Sequence, residues 1–153
     1  MVALAAIASM QSGFAQDNTN NSQPAKLLSL YYTIKDALVA GNSNTAAAKA
    51  GEFVKTANSI DVKTLPEESR TALLKDANSI SKVKDINKQR EYFAGLSDQM
   101  FDLAKKTQLS TQPIYKANCP MKKANWLSSE AAIKNPYYGN AMLTCGKVVE
   151  TLK

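Results

Sequence analysis

The chain is 153 residues long, carries 19 lysine and arginine residues against 13 acidic residues, and contains no histidine. This length fits one domain with a single core, and the missing histidine excludes Ser-His-Asp and Cys-His catalysis, HExxH zinc hydrolysis and every histidine-ligated metal site. The sequence has no acidic cluster suited to calcium or magnesium and no nucleic-acid-binding motif, so its positive charge does not predict a nucleic-acid partner.

The first residues are typical of an exported protein. Residues 1–15 form a short apolar run that ends in small residues before Gln16, as in the later part of a secretory signal peptide, although the usual basic start is missing. This run is too short to span a bilayer. Residues 16–23 are polar and asparagine-rich, which predicts a disordered tether. We therefore expect an exported, periplasmic protein without a membrane span, in which residues 24–153 form a single domain.

The next part of the chain predicts four amphipathic helices, because apolar residues recur at intervals of three and four. The first three cover residues 26–40, 44–60 and 66–81, with Asn44 as N-cap of the second and Thr64 opening a capping box for the third. Asp85 caps the fourth and longest. Short connections favour an all-α fold, namely an up-and-down antiparallel four-helix bundle with a C-terminal, loop-rich tail packed on it.

The tail, residues 113–153, differs in composition from the helices. We expect a short β-like piece at 114–117, one or two helical turns at 126–133 and a turn at 135–139. The last segment, 142–152, reads as a short helix or a strand.

Both cysteines lie in this tail, each near a methionine. Pro120 favours an extended Cys119, which would point the sulfurs of Cys119 and Met121 the same way. Met142 and Cys145 share a face if their segment forms a helical turn. Four sulfur ligands would select Cu(I). The alternative is a Cys119–Cys145 disulfide, which closes a loop of about 27 residues and staples the tail, stabilising it by about 3 to 4 kcal/mol.

Most of the chain from Leu27 to Leu152 also resembles a known family, in its alanine-rich helices and the word REYFAGLSDQM and most specifically in its tail. The words IYxxxCPM, WLS, NPYYG and MLTCG occur in that order, and together they resemble the domain of unknown function 3347, an uncharacterised bacterial exported domain also found fused to periplasmic adaptor proteins of copper/silver-type efflux pumps. The motif residues carried over by position are Cys119, Pro120, Met121, Trp126, Asn135, Pro136, Tyr137, Gly139, Met142, Cys145 and Gly146.

The resemblance implies a periplasmic heavy-metal-binding domain for Cu(I) or Ag(I), associated with metal efflux or homeostasis. Its ligands would be Cys119, Met121, Met142 and Cys145, shielded by Trp126, and its partner a periplasmic efflux component or a metallochaperone. Some relatives have histidine where Asn118 stands here, which leaves only an all-sulfur site.

Three lysines flank the thiols, namely Lys122, Lys123 and Lys147, and are expected to lower the pKa of the thiols and to offset the charge of a two-thiolate metal site. An enzyme is not expected, because a cysteine nucleophile would lack a histidine base. The second function that the sequence predicts is a non-enzymatic structural or protein-interaction module held by the disulfide.

Overall fold

The computed structural model describes residues 22–153, and four helices occupy the first two thirds of this range. They are α1 (Gln23–Val39), α2 (Ser43–Ser59), α3 (Glu67–Lys82) and α4 (Ile86–Lys106). Consecutive helices pack against each other across short loops, and α4 also contacts α1 and α2. Their apolar stripes meet in one core, where the ring of Tyr31 stacks on that of Phe93 with centroids 5.1 Å apart.

The four predicted helices are confirmed, with boundaries that differ by up to three residues. Helix α1 begins at Gln23, and the Ser22 hydroxyl accepts a hydrogen bond from the Ala25 N–H at 3.3 Å. Gln23 therefore belongs to the helix and Ser22 caps it, so neither residue is part of the predicted tether. The rest of that tether and the predicted signal segment lie outside the described residues.

The predicted N-caps were right for one helix and wrong for two. The Asp85 carboxylate accepts hydrogen bonds from the first turn of α4, as predicted, at 2.8 Å from the Asn87 nitrogen. Helix α2 is capped by Asn42 instead of Asn44. Helix α3 begins after Pro66 without a side-chain cap, so Thr64 does not form the predicted capping box. None of the helices in the described range is both long and apolar enough to cross a membrane.

A three-stranded antiparallel sheet follows the helices. Its strands are β1 (Ile114–Cys119), β2 (Ala124–Ser128) and β3 (Lys147–Leu152), in the order β2-β1-β3. Strand β1 ends before Pro120, which has no N–H to donate to a ladder. The turn to β2 closes with Lys123 at φ 56°, and its N–H donates to the Cys119 carbonyl at 2.8 Å.

One face of the sheet packs on the helices, and the edge of β2 is bonded to tyrosine hydroxyls. Lys116 places its ammonium 3.7 Å from the centroid of the Phe101 ring in α4. The Leu127 N–H donates to the Tyr31 hydroxyl at 2.9 Å, and the Tyr137 hydroxyl donates to a carbonyl of the same strand. These bonds satisfy backbone groups of β2 that its partner strand does not reach.

The other face of the sheet carries Ala117, Cys119 and Trp126, because residues two apart on a strand, and residues directly opposite in a ladder, point the same way. The segment 129–146 covers this face. It brings Gly146 so close to Trp126 that a Cβ at Gly146 would lie 2.7 Å from the Trp126 ring. The candidate thiol site lies between this segment and the sheet.

The prediction of an all-α fold is wrong. Strands make up 13% and helices 56% of the described residues, so the domain is mixed α/β with a helical bundle as its larger part. The predicted β-like piece at 114–117 is part of β1, and the last segment is a strand. The predicted helical turns at 126–133 do not form: Trp126 lies in β2, because pairing with β1 and burial of its ring outweigh the helix propensity of the alanines and glutamate that follow.

Candidate functional site

The first cysteine ends the central strand. Cys119 is fully buried on the covered face of the sheet, opposite Ala124. The chain turns away at Pro120, and the Lys122 N–H folds back to donate a hydrogen bond to the Cys119 sulfur at 3.4 Å. The local sequence therefore holds this thiol at the end of a strand, inside the protein.

The second cysteine lies in the covering segment. A short 3₁₀ helix (Gly139–Ala141) leads into a turn in which the Cys145 N–H donates to the Met142 carbonyl at 3.1 Å. Met142 and Cys145 are therefore joined by one turn, although Met142 does not have helical backbone angles. The fully buried Asn135 holds this turn: its amide donates to the Cys145 carbonyl at 2.7 Å, and its backbone N–H donates to the Leu143 carbonyl at 2.8 Å.

The two thiols lie beside each other. Cys119 and Cys145 are free and interact through their side chains. Burial raises the pKa of the Cys145 thiol, and the neighbouring Cys119 raises this pKa further. The expectation that nearby lysines lower the thiol pKa is therefore wrong for Cys145, because loss of water around the thiol and the second sulfur outweigh positive charges carried on exposed side chains.

The two methionines differ in exposure and in their position relative to the thiols. Met121 lies in the turn after β1 with 63% of its surface exposed, so the extended backbone needed to align it with Cys119 ends one residue too early. Met142 is half-buried at the start of the Cys145 turn. Within residues 22–153, no group of three or more cysteine, aspartate and glutamate side chains is placed to hold a metal ion.

Trp126 lies beside the residue that follows Cys145. It is 99% buried, its ring packs edge-on against Tyr137 with centroids 6.2 Å apart, and it contacts Gly146. Gly146 has a φ of 143°, which a residue with a side chain rarely adopts. The indole therefore occupies the space that a larger residue beside Cys145 would need.

Arg90 of α4 anchors the NPYYG motif to the bundle, and sequence reasoning missed it. Its guanidinium donates to the Pro136 carbonyl and to the Leu38 carbonyl at the end of α1, both at 2.9 Å. Glycine at position 139, with a φ of 54°, permits the close approach of Arg90 and the end of α1, because a Cβ there would lie 2.8 Å from the guanidinium and 2.8 Å from the Val39 carbonyl oxygen. The position of Asn135, and through it that of Cys145, therefore depends on Arg90, which lies 45 positions before Asn135 in the chain.

A signal for Arg90 was present in the composition. Of the 19 basic residues, only Arg70 and Arg90 are arginines. Both donate to two backbone carbonyls, Arg70 to those of Ile60 and Leu65, which suits a planar, multi-donor guanidinium better than an ammonium. Two arginines among many lysines are positions where such a geometry should be sought.

Comparison with known proteins gives one match. A family model described as "Protein of unknown function (DUF3347)" matches residues 27–112, which cover the four helices and end just before β1. No curated protein and no solved structure matches the chain. The two cysteines and the NPYYG motif lie outside the matched range.

Proposed function

Because the chain belongs to the family Protein of unknown function (DUF3347), whose description names no activity, we propose a function from the thiol site. The protein is a non-enzymatic domain that binds one Cu(I) or Ag(I) ion through Cys119 and Cys145. Its family membership is the one that the resemblance of its sequence predicts. The observation that carries the proposal is the contact between these two side chains at the end of the sheet. Thiolates are ligands that Cu(I) prefers over the oxygen donors chosen by magnesium or calcium.

Met142 is the best-placed further ligand, because one turn joins it to Cys145. Met121 is proposed only as a ligand that reaches the ion from the exposed turn after Cys119. Binding must displace the thiol protons, and the raised pKa of Cys145 makes this displacement harder. Affinity should therefore rise with pH until the thiol is deprotonated without the metal.

The same groups argue against an enzyme. A nucleophilic cysteine needs a lowered pKa or an adjacent base, whereas the pKa of Cys145 is raised and the chain has no histidine. We further propose that the protein is exported to the periplasm and passes its ion to an efflux component or a metallochaperone. These two steps rest on the resemblance to domains fused to efflux adaptors and on the apolar start of the chain.

An anaerobic Cu(I) competition titration tests the metal site. The variants are the double Cys119→Ser/Cys145→Ser, Met142→Leu, and Met121→Leu as the matched control for losing an exposed thioether. We expect the double variant to lose more than about a hundredfold in affinity, since even a residue supporting a ligand commonly contributes roughly 10- to 100-fold. Met142→Leu should lose less, and Met121→Leu least. Unchanged affinity in the double variant, with a normal circular dichroism spectrum, would refute the proposal.

A second function, a structural or protein-interaction module stapled by a Cys119–Cys145 disulfide, is favoured by the complete burial of Cys119, which suits a cross-link better than ion exchange. Such a bond would stabilise the fold by about 3 to 4 kcal/mol in the chain-entropy treatment. Intact-mass measurement of the protein from its native compartment, with and without thiol alkylation, separates the two functions. Alkylation of both thiols would argue against the disulfide, whereas alkylation of neither thiol would argue against the metal site.

A further inference from the structure

A cavity of about 370 Å³ lies between the start of α4, the turn after β1 and the NPYYG motif. Its lining residues are Asn87, Arg90, Glu91, Lys122, Tyr137, Tyr138 and Ala141. Its volume lies within the range of small-molecule sites, which combine an apolar wall with a few convergent polar groups. The thiol site does not use this cavity, although Lys122 belongs to the turn that contacts Cys119.

Arg90 is held in place before any ligand arrives. Its Nε and one terminal nitrogen, Nη2, donate to the Pro136 and Leu38 carbonyls, and Gly139 lies against the same terminal nitrogen. The other terminal nitrogen, Nη1, is not used in these bonds. Within the described residues no carboxylate forms an ion pair with Arg90, so its charge is held by neutral carbonyl oxygens alone.

The charges around the cavity favour an anion. Arg90 and Lys122 contribute two positive charges, and the exposed Glu91 contributes one negative charge without an ion pair to either within the described residues. Burial lowers the pKa of Arg90, because loss of water disfavours the charged guanidinium. A bound carboxylate would favour the charged form through charge-assisted hydrogen bonds.

The remaining walls favour an apolar or flat ligand body. Tyr138 is half-buried, Tyr137 is buried, and Ala141 contributes a methyl group. We infer that this cavity binds a small organic carboxylate, with the carboxylate at Arg90 and Lys122 and the apolar body against Tyr138 and Ala141. The inference is independent of the metal proposal, because no sulfur atom lines the cavity.

Titration with sodium benzoate, followed by amide chemical shifts in ¹H–¹⁵N spectra, tests this site. Benzamide serves as the neutral ligand of the same shape, and sodium chloride as the salt control. We expect saturable shifts that centre on Lys122, Tyr138 and Ala141 with benzoate only. Lys122→Gln should weaken benzoate by about threefold to fivefold, the effect of one exposed ionic contact, whereas the matched variant Lys123→Gln should leave it within about twofold of wild type.

Arg90→Lys keeps the charge but loses the forked geometry, and should weaken benzoate more than Lys122→Gln does, provided the spectrum shows an intact fold. If this variant fails to fold, the comparison of Lys122→Gln with Lys123→Gln still decides. The inference is overturned by three results: no saturable shift with benzoate, equal binding of benzamide, or equal effects of the two lysine substitutions.

Discussion

Replacing Gly146 by alanine should destabilise the protein, because the new side chain would disrupt the packing of the segment 129–146 against the sheet. The new Cβ would lie 2.7 Å from the Trp126 ring and 2.9 Å from the Asn118 carbonyl oxygen, at a φ of 143°. Neither neighbour can yield easily, because Trp126 is buried against Tyr137 and Asn118 belongs to the central strand. Overpacking of about 1–3 kcal/mol and backbone strain of about 1–3 kcal/mol together predict a loss of about 2–6 kcal/mol of unfolding free energy.

Urea denaturation followed by the fluorescence of Trp126, the only tryptophan, measures this loss. The matched control is Gly51→Ala in α2, where a new Cβ meets no atom within 4 Å and should stabilise the helix by roughly 0.5–1 kcal/mol. The reasoning fails if Gly146→Ala unfolds within about 0.5 kcal/mol of wild type. Gly146→Ala should also weaken Cu(I) binding, because it displaces Cys145.

Three further outcomes follow from the hydroxyl and thiol groups. Burial raises the pKa of Tyr31, Tyr32 and Tyr137, so the folded protein keeps protons that the unfolded chain releases near pH 10. The unfolding free energy should therefore fall above about pH 10 by up to roughly 1.4 kcal/mol per pH unit for each of these tyrosines. An unfolding free energy that stays constant from pH 9 to 11 in urea titrations would contradict this. Tyr31→Phe removes the acceptor for the Leu127 N–H and should cost about 1–3 kcal/mol in the same assay, whereas no change would mean that water replaces the hydroxyl. Because the thiolate is the reactive form, Cys145 should react with a disulfide reagent more slowly at pH 7.5 than glutathione does, and equal rates would contradict its raised pKa.

The helices were predictable because their signals are local. Apolar residues at intervals of three and four, and Asp85 before the longest run, specify both the existence of α4 and its start. The capping box at Thr64 failed because the Thr64 and Leu65 N–H groups donate to the Asp61 carbonyl in a turn, and the helix begins only after Pro66. That turn starts at a residue outside the four-residue motif, so the motif does not reveal it.

The sheet was only partly predictable because its stability is non-local. Residues 114–117 carry β-forming residues and were identified, but Trp126 and Leu127 take strand geometry from their partners in β1 and from the Tyr31 hydroxyl. Nothing in the words that follow Trp126 encodes a bond to a tyrosine 96 positions away. The same limit applies to Arg90, whose contacts with Leu38 and Pro136 join three distant parts of the chain.

In the candidate site, too, the local features could be predicted from the sequence and the non-local ones could not. One backbone hydrogen bond closes a turn between Met142 and Cys145, and a spacing of three residues allows such a turn. The placement of Met121 depends on where β1 ends: an extended backbone from Cys119 to Met121 was expected, whereas the strand ends at Cys119 and the chain turns from Pro120. The cavity beside Arg90 has no counterpart in the sequence, because its walls come from α4, the β1–β2 turn and the NPYYG motif.

The tyrosine bonds to β2 bear on how the domain can be divided. The family match ends at residue 112, yet the buried Tyr31 hydroxyl bonds both to Ser97 of α4 and to the Leu127 N–H of β2, and the Phe101 ring is covered by Lys116 of β1. Helices transplanted into another protein without the sheet would lose the bond to Leu127 and expose apolar surface that the sheet covers. The smallest fragment expected to fold independently therefore includes the strands. A fragment that contains the four helices should also contain the C-terminal segment with the two cysteines.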